Sequence, residues 1–201
     1  MLMLNLLWIR GNKLKAANLA NGNPTAKRRE LDFYPTPANV AHALMQFLQL
    51  PPCEIWEPAC GEGAMSSVLS EYGHRVTATD LNENANGFGG VDFLSEAAGM
   101  FCPIDCHAVI TNPPFNVADK FITKSLTIAP VVAMLLKSQY WHASKRLPLF
   151  RDRPPAYVLP LTWRPDFMNG ERGGSPTMDV AWSVWVAGDT QTRYVPLARP
   201  A

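Results

Sequence analysis

Two kinds of apolar spacing alternate along this chain, and together they predict its architecture. After Pro37, the residues Val40, Ala43, Leu44, Phe47 and Leu48 recur at helical spacing, and Pro51 with Pro52 closes the run. Met65, Val68, Leu69 and Tyr72 mark one face of a second helix that Gly73 stops, and a third helix is predicted over residues 117–128. Short apolar or alternating runs predict strands at residues 54–56, 75–79, 90–94, 108–110, 131–136, 157–161 and 180–187. In the last of these, Ala181, Ser183 and Trp185 alternate with Trp182, Val184 and Val186, one set for each face of a sheet. Such alternation of strands and helices predicts an α/β fold, a doubly wound, seven-stranded, mostly parallel sheet with helices on both faces. Ligands bind such sheets beyond the carboxyl ends of the strands, so the loops there are the places to look for chemistry.

Composition adds little to the fold but limits the class. With 47% hydrophobic and 17% charged residues in 201, the chain has material for one folded domain and does not read as disordered. The 18 prolines and 13 glycines follow no period, which excludes collagen-like and repeat architectures. Residues 1–9 are apolar but too short to span a bilayer, and Arg10 follows them where a secretory signal needs positive charge in front. A cytoplasmic protein with no membrane partner is therefore expected. Cys53, Cys60, Cys102 and Cys106 form no CxxC pair, so neither disulfides nor a metal site is expected.

Charge does change the picture, because the net +1 hides a segregated distribution. Residues 1–29 hold six basic side chains and no acidic one, residues 54–105 hold nine acidic ones against Arg75 alone, and residues 120–172 are basic again. An acidic middle suits a cationic, hydroxyl-bearing ligand and basic flanks suit phosphate, although ordinary solvated surface accounts for the same charges equally well. The expected organisation is a basic arm over 1–32, a catalytic domain over 33–190 and a C-terminal tail over 191–201.

The predicted strand ends carry the candidate chemistry. Glu57, Pro58, Ala59, Cys60, Gly61, Glu62 and Gly63 follow the first strand, and two glycines there permit a tight turn and close approach of a ligand to the backbone. Neither a phosphate-loop signature nor the six-residue dinucleotide fingerprint is present, which favours a nucleoside cofactor without phosphates. Asp80 closes the second strand about twenty residues after Gly61, where an acidic side chain commonly accepts hydrogen bonds from a ribose. Asp92 and Phe93 follow at the third predicted strand, where a carboxylate beside a ring could meet the amino group and face of an adenine. After the fourth comes Asn112-Pro113-Pro114-Phe115, in which two prolines stiffen the loop. The Asn112 side-chain oxygen and the free carbonyls of Asn112 and Pro113 make a compact set of acceptors for a planar amino group, with the Phe115 ring at the same place.

At these residues the chain resembles the amino-methyltransferase group of Rossmann-like methyltransferases, and most of all the small N6-adenine DNA methyltransferases often carried by phages. Phe33-Tyr34-Pro35-Thr36-Pro37 is similar to the family's N-terminal element, and residues 56–63 to its cofactor loop, where Asp is commoner than the Glu57 found here. Thr111-Asn112-Pro113-Pro114-Phe115 is similar to its catalytic tetrapeptide. The resemblance covers about residues 33–187 and implies S-adenosylmethionine as cofactor. It places Glu57, Gly61 and Gly63 around the methionine part, Asp80 on the ribose, Asp92 and Phe93 near the adenine, and Tyr34 and Thr36 closing the pocket, with Pro58 and Asn112 also among the cofactor-binding residues. It implies direct in-line attack by the amino nitrogen of an adenine flipped out of DNA, with Asn112, Pro113, Pro114 and Phe115 as catalytic residues.

Phe115 is then expected to stack on the flipped base, with Phe167 or Trp163 as a second face, and Lys137 and Arg164 among several basic residues to contact DNA. Only the loops 142–155 and 164–177, besides the arm, remain for reading base edges, so a short or relaxed sequence preference is expected, with a role in phage or restriction-modification DNA methylation. The same tetrapeptide chemistry serves adenine methylation of RNA and glutamine methylation of proteins. A cofactor-binding module without catalysis is a further alternative, disfavoured by the intact tetrapeptide.

Overall fold

The computed structural model describes residues 35–167, 176 and 178–201. The basic arm, Tyr34 and most of residues 168–177 lie outside the described residues.

Helix α1 (Ala38–Leu48) starts at Pro37, whose fixed φ suits a first turn, and ends where Gln49 turns left-handed at φ 47°. Strand β1 (Glu54–Glu57) leads through the glycine loop into α2 (Ala64–Glu71), and β2 (Arg75–Ala78) follows. A short 3-10 helix (Glu96–Phe101) precedes β3 (Cys106–Thr111), which is followed by α3 (Ala118–Ser125) and β4 (Val131–Lys137). Two 3-10 turns and a short helix α4 (Leu147–Asp152) lead to β5 (Tyr157–Pro160), β6 (Val180–Val186) and β7 (Arg193–Tyr194).

The strands form one seven-stranded sheet in the order β2-β1-β3-β4-β6-β5-β7, in which β6 alone runs against the others. Strict alternation along the central strands feeds two apolar layers. Ile55, Ala108, Ile110, Ala133, Leu135, Trp182 and Val184 face α1 and α2, meeting Leu44, Met65 and Leu69. Trp56, Val109, Val132, Met134, Leu136 and Trp185 point the other way, onto Ala118, Phe121 and Ile122 of α3. The alternation expected in the last long strand is thus realised, with Trp182 and Trp185 on opposite faces. Trp182 also donates its Nε1–H to the Val40 carbonyl at 3.1 Å, tying α1 to the sheet 142 residues away.

Two expectations are corrected. Residues 90–94 do not form a strand. Beyond β2 the chain makes one parallel bridge, Thr79 to Phe88, and then turns back on itself, with the Val91 N–H on the Asp80 carbonyl. The reason is local: asparagines and glycines at 82–90 favour turns that satisfy the backbone within the loop. The seventh strand lies instead in residues 191–201, read from sequence as a tail. Arg193 and Tyr194 pair with β5, Leu161 bridges to Leu197, and Leu197 is only 6% exposed within the first apolar layer. A two-residue strand in a proline-flanked segment leaves no periodic signal to read.

Leu197→Ala is expected to lower the unfolding free energy by about 2–4 kcal/mol in urea denaturation. An unchanged midpoint would mean that the last residues contribute nothing to the core.

Candidate active site

β2, β1, β3 and β4 are parallel neighbours, so the loops that leave them share one edge of the sheet. β1 has β2 on one side and β3 on the other, and the chain therefore departs from this point in opposite directions. Loops that diverge at such a switch point leave a crevice between them. Here its two sides are the glycine loop and the Asn112 corner, carried by directly paired strands.

The glycine loop is held open by hydrogen bonds. Gly61 and Gly63 adopt φ values of +53° and +78°, conformations that L side chains avoid. The Gly61 N–H donates to Asp80 Oδ2 at 2.8 Å and the Asn82 N–H to Oδ1 at 2.8 Å, so the carboxylate just beyond β2 splints both loops. The Asn86 N–H donates to the Gly61 carbonyl at 2.8 Å, and a β-carbon on Gly63 would come within 2.9 Å of Asn86 Nδ2. Pro58 is buried at the start of the turn.

Glu57 is 1% exposed, so its carboxyl lies behind the loop and accepts from the Ser66 hydroxyl in the first turn of α2. Burial pushes it up to about 8; the Ser66 hydrogen bond opposes that rise and the nearby Asp80 charge adds to it. Glu57 thus ties the end of β1 to the first turn of α2, across the glycine turn that joins them. The Cys60 thiol is pushed up to about 12 by burial and by the Glu57 and Asp80 carboxylates, which leaves it a thiol and no nucleophile.

Across the crevice, β3 runs into Thr111 and the Asn112-Pro113-Pro114-Phe115 corner. Asn112 is half-buried, and its Nδ2 donates to Thr36 Oγ1 at 3.2 Å across 76 residues of chain. That bond sets the rotation of the amide. Thr36 is buried just ahead of α1, itself anchored through Trp182, so the early segment is fastened onto the corner. Phe115 is half-buried, and the Lys137 ammonium at the end of β4 lies over its ring, 4.2 Å from the centroid.

Other expected residues fall elsewhere. Asp92 is exposed and accepts the Leu94 N–H at 2.9 Å, which closes a local turn. Phe93 is corrected from a ring for a ligand to a core residue. It is 2% exposed and packs edge-on to Trp56 (centroids 5.1 Å apart) and against Phe121 (4.8 Å), because the α3 layer needed filling. Phe167 is corrected likewise: at 4% exposed it belongs to the first apolar layer and presents no second face. Trp163 is half-buried against that layer. Arg164 is exposed and paired with Asp179 at 2.7 Å. Ser66, Asn82 and Asn86 were missed by sequence reasoning; each acts through hydrogen bonds from a loop or first helical turn, where no periodicity announces it. Among the described residues no group could hold a metal ion, and no helix is long and apolar enough to cross a membrane.

No protein-family profile and no curated protein matches this chain. Solved structures do. The methyltransferase subunit of a type I restriction-modification system from Streptococcus thermophilus gives a TM-score of 0.63 at 13% identity, over 81% of this chain and 47% of that one. This chain therefore spans about half the length of the streptococcal subunit, 47% of it. A Pyrococcus horikoshii protein provisionally described as an RNA methyltransferase gives 0.56 at 19% identity, over 87% and 97%. A Listeria monocytogenes protein provisionally described as a class I S-adenosylmethionine-dependent methyltransferase gives 0.55 at 11% identity, over 94% and 72%. The likeness is one of fold, and that fold is the Rossmann-like architecture of class I methyltransferases.

The buried carboxyl has a testable signature. Glu57 keeps its proton in the folded chain up to about pH 8, whereas the unfolded chain loses it near 4.5. Between those values the folded state binds more protons, so this group's contribution to stability is full below the window, falls as pH rises through it, and levels off above. The wild-type melting temperature is expected to fall more steeply from pH 5 to pH 8 than that of Glu57→Gln. Parallel curves would show that the carboxyl is already ionised at the lower pH.

Proposed function

We propose that this chain transfers the methyl group of S-adenosylmethionine to the exocyclic N6 amino nitrogen of adenine in DNA. The observation that carries the reading is the pairing of β1 with β3, which sets the glycine turn beside an Asn-Pro-Pro-Phe corner on one edge of the sheet.

The residues present fit such a cofactor. The left-handed glycine turn offers backbone at close approach, and Asp80, already gripping two loop N–H groups, has lone pairs left to accept from ribose hydroxyls. Carboxylates concentrate along this stretch of loops, at Glu62, Asp80, Glu83 and Asp92, which suits a positively charged ligand. Gly61, Gly63 and Asp80 would hold the cofactor, with Glu57 behind the turn, Asp92 at its rim and Tyr34 and Thr36 closing the pocket. When bound, it supplies an electrophilic methyl on a sulfonium.

The corner does the rest. An aromatic amine is a poor nucleophile because its lone pair is delocalised into the ring. The Asn112 Oδ1 and the Pro113 carbonyl accept the two amino hydrogens, which favours a pyramidal nitrogen with its lone pair out of the ring plane. Pro113 and Pro114 keep those acceptors fixed, so little reorganisation is needed during the reaction. Thr36, by holding Nδ2, determines which end of the Asn112 amide faces the substrate. A stacked base cannot reach this corner, so the adenine is extruded from the helix and lies against the Phe115 ring. Lys137 covers that ring in the free protein and shifts toward a phosphate when the base enters. With few loops left for base edges, the sequence preference is short or relaxed.

Mass spectrometry of nucleosides from DNA incubated with the protein and cofactor is expected to show N6-methyladenine. Methyl groups found only in RNA, or only on protein glutamine, would refute the reading. Asn112→Ala is expected to lower turnover about a hundredfold to a thousandfold while melting as a folded protein. Asp80→Ala is expected instead to weaken cofactor binding in calorimetry.

A further inference from the structure

The face of α3 turned away from the core carries a feature that methyl transfer does not use. An open groove of about 680 Å³ runs between this helix and the segment that follows β4. Lys120 and Lys124 line it from the helix, Lys145 and Arg146 line it from the other side, and Asp119 is the one carboxylate in its lining. Lys120, Thr123, Lys124 and Thr127 stand at spacings of three and four, so they form a single stripe along the helix and its last turn.

Two of the four cations are fixed in place. Lys124 Nζ donates to the Ser95 carbonyl at 2.6 Å and lies 5.2 Å from the centre of the Phe93 ring. Arg146 donates to the Tyr140 carbonyl at 2.6 Å with its guanidinium 3.7 Å from the Tyr140 ring centre. These partners are neutral, so they orient the charges without cancelling them. Lys120 and Lys145 are exposed, and no described residue pairs with either. The Thr123 and Thr127 hydroxyls donate to carbonyls of their own helix, at 2.9 and 2.7 Å. The groove therefore offers positive charge, with no array of side-chain amides to read a base edge.

We infer that this groove is the track for the phosphodiester backbone of the DNA strand beside the target adenine. The inference rests on the DNA reading given above and adds where the phosphates lie. Charge complementarity and length favour a polyanion over a single small anion. The stripe from Lys120 to Thr127 is roughly 10 Å long at 1.5 Å per residue, which matches about three nucleotides at 3.4 Å each. Its position agrees, because Lys120 stands in the first turn of the helix that begins just after Phe115. A strand that gives up one base to the Asn112 corner can continue along this groove, and the contacts carry no sequence information.

The test is the salt dependence of binding to a fluorescent DNA duplex, followed by anisotropy between about 50 and 200 mM salt. Lys120→Ala combined with Lys145→Ala is expected to weaken binding about tenfold at low salt. It should also make the slope of log affinity against log salt shallower by about two, roughly one for each lost phosphate contact. Arg75→Ala, at the opposite end of β2 from the active edge, is the control and is expected to leave the slope unchanged. An unchanged slope in the folded double variant, with wild-type protein still methylating DNA, overturns the groove and leaves the activity standing. A wild-type protein that methylates RNA alone defeats the activity reading. If RNA is then also the polymer whose salt slope depends on Lys120 and Lys145, the DNA track is overturned with it.

Discussion

Everything at the active edge depends on β1 and β3 lying side by side and parallel while the chain leaves them in opposite directions. Adjacent strands stand about 4.8 Å apart, so the loops that extend them cannot be far from each other. The sheet thereby brings together residues distant in sequence, and it does so with backbone hydrogen bonds buried under two apolar layers. Side chains then only have to finish the crevice. Asp80 joins the second loop to the first, and Thr36 joins the start of the domain to Asn112.

Charge is divided along the same line. The loops beyond β1 and β2 are rich in carboxylates, and the segments beyond β3 and β4 are rich in lysine and arginine. A near-neutral total thus contains an acidic side suited to a cation and a basic side suited to phosphate. Buried Glu57 belongs to the first group by sequence, but its protonated state keeps an uncompensated charge out of the core.

Long elements with a clear period were legible in the sequence. The alternation through Trp182 and Trp185, the helix after Pro37 and the strand at residues 131–136 all appear where spacing places them. The glycine loop and the proline corner were legible because glycine marks left-handed turns that other residues avoid, and consecutive prolines fix φ and remove two donors. Phe93 and Phe167 were not, since an aromatic residue at a strand end or in a loop has the same local pattern whether it faces a ligand or the core. Leu197 escaped notice for the opposite reason: it is one apolar residue in a segment with no repeat, and only tertiary pairing recruits it. The bond between Thr36 and Asn112 spans 76 residues, and nothing local to either residue encodes it.

The most direct measurement of the central claim is a crystal structure of the protein soaked with S-adenosylhomocysteine, the demethylated product. The account predicts its sulfur in the crevice between the Gly61 turn and the Asn112 corner, with the ribose hydroxyls on Asp80. Density for the product anywhere else on the molecule, or sulfur turned away from Asn112, would contradict it.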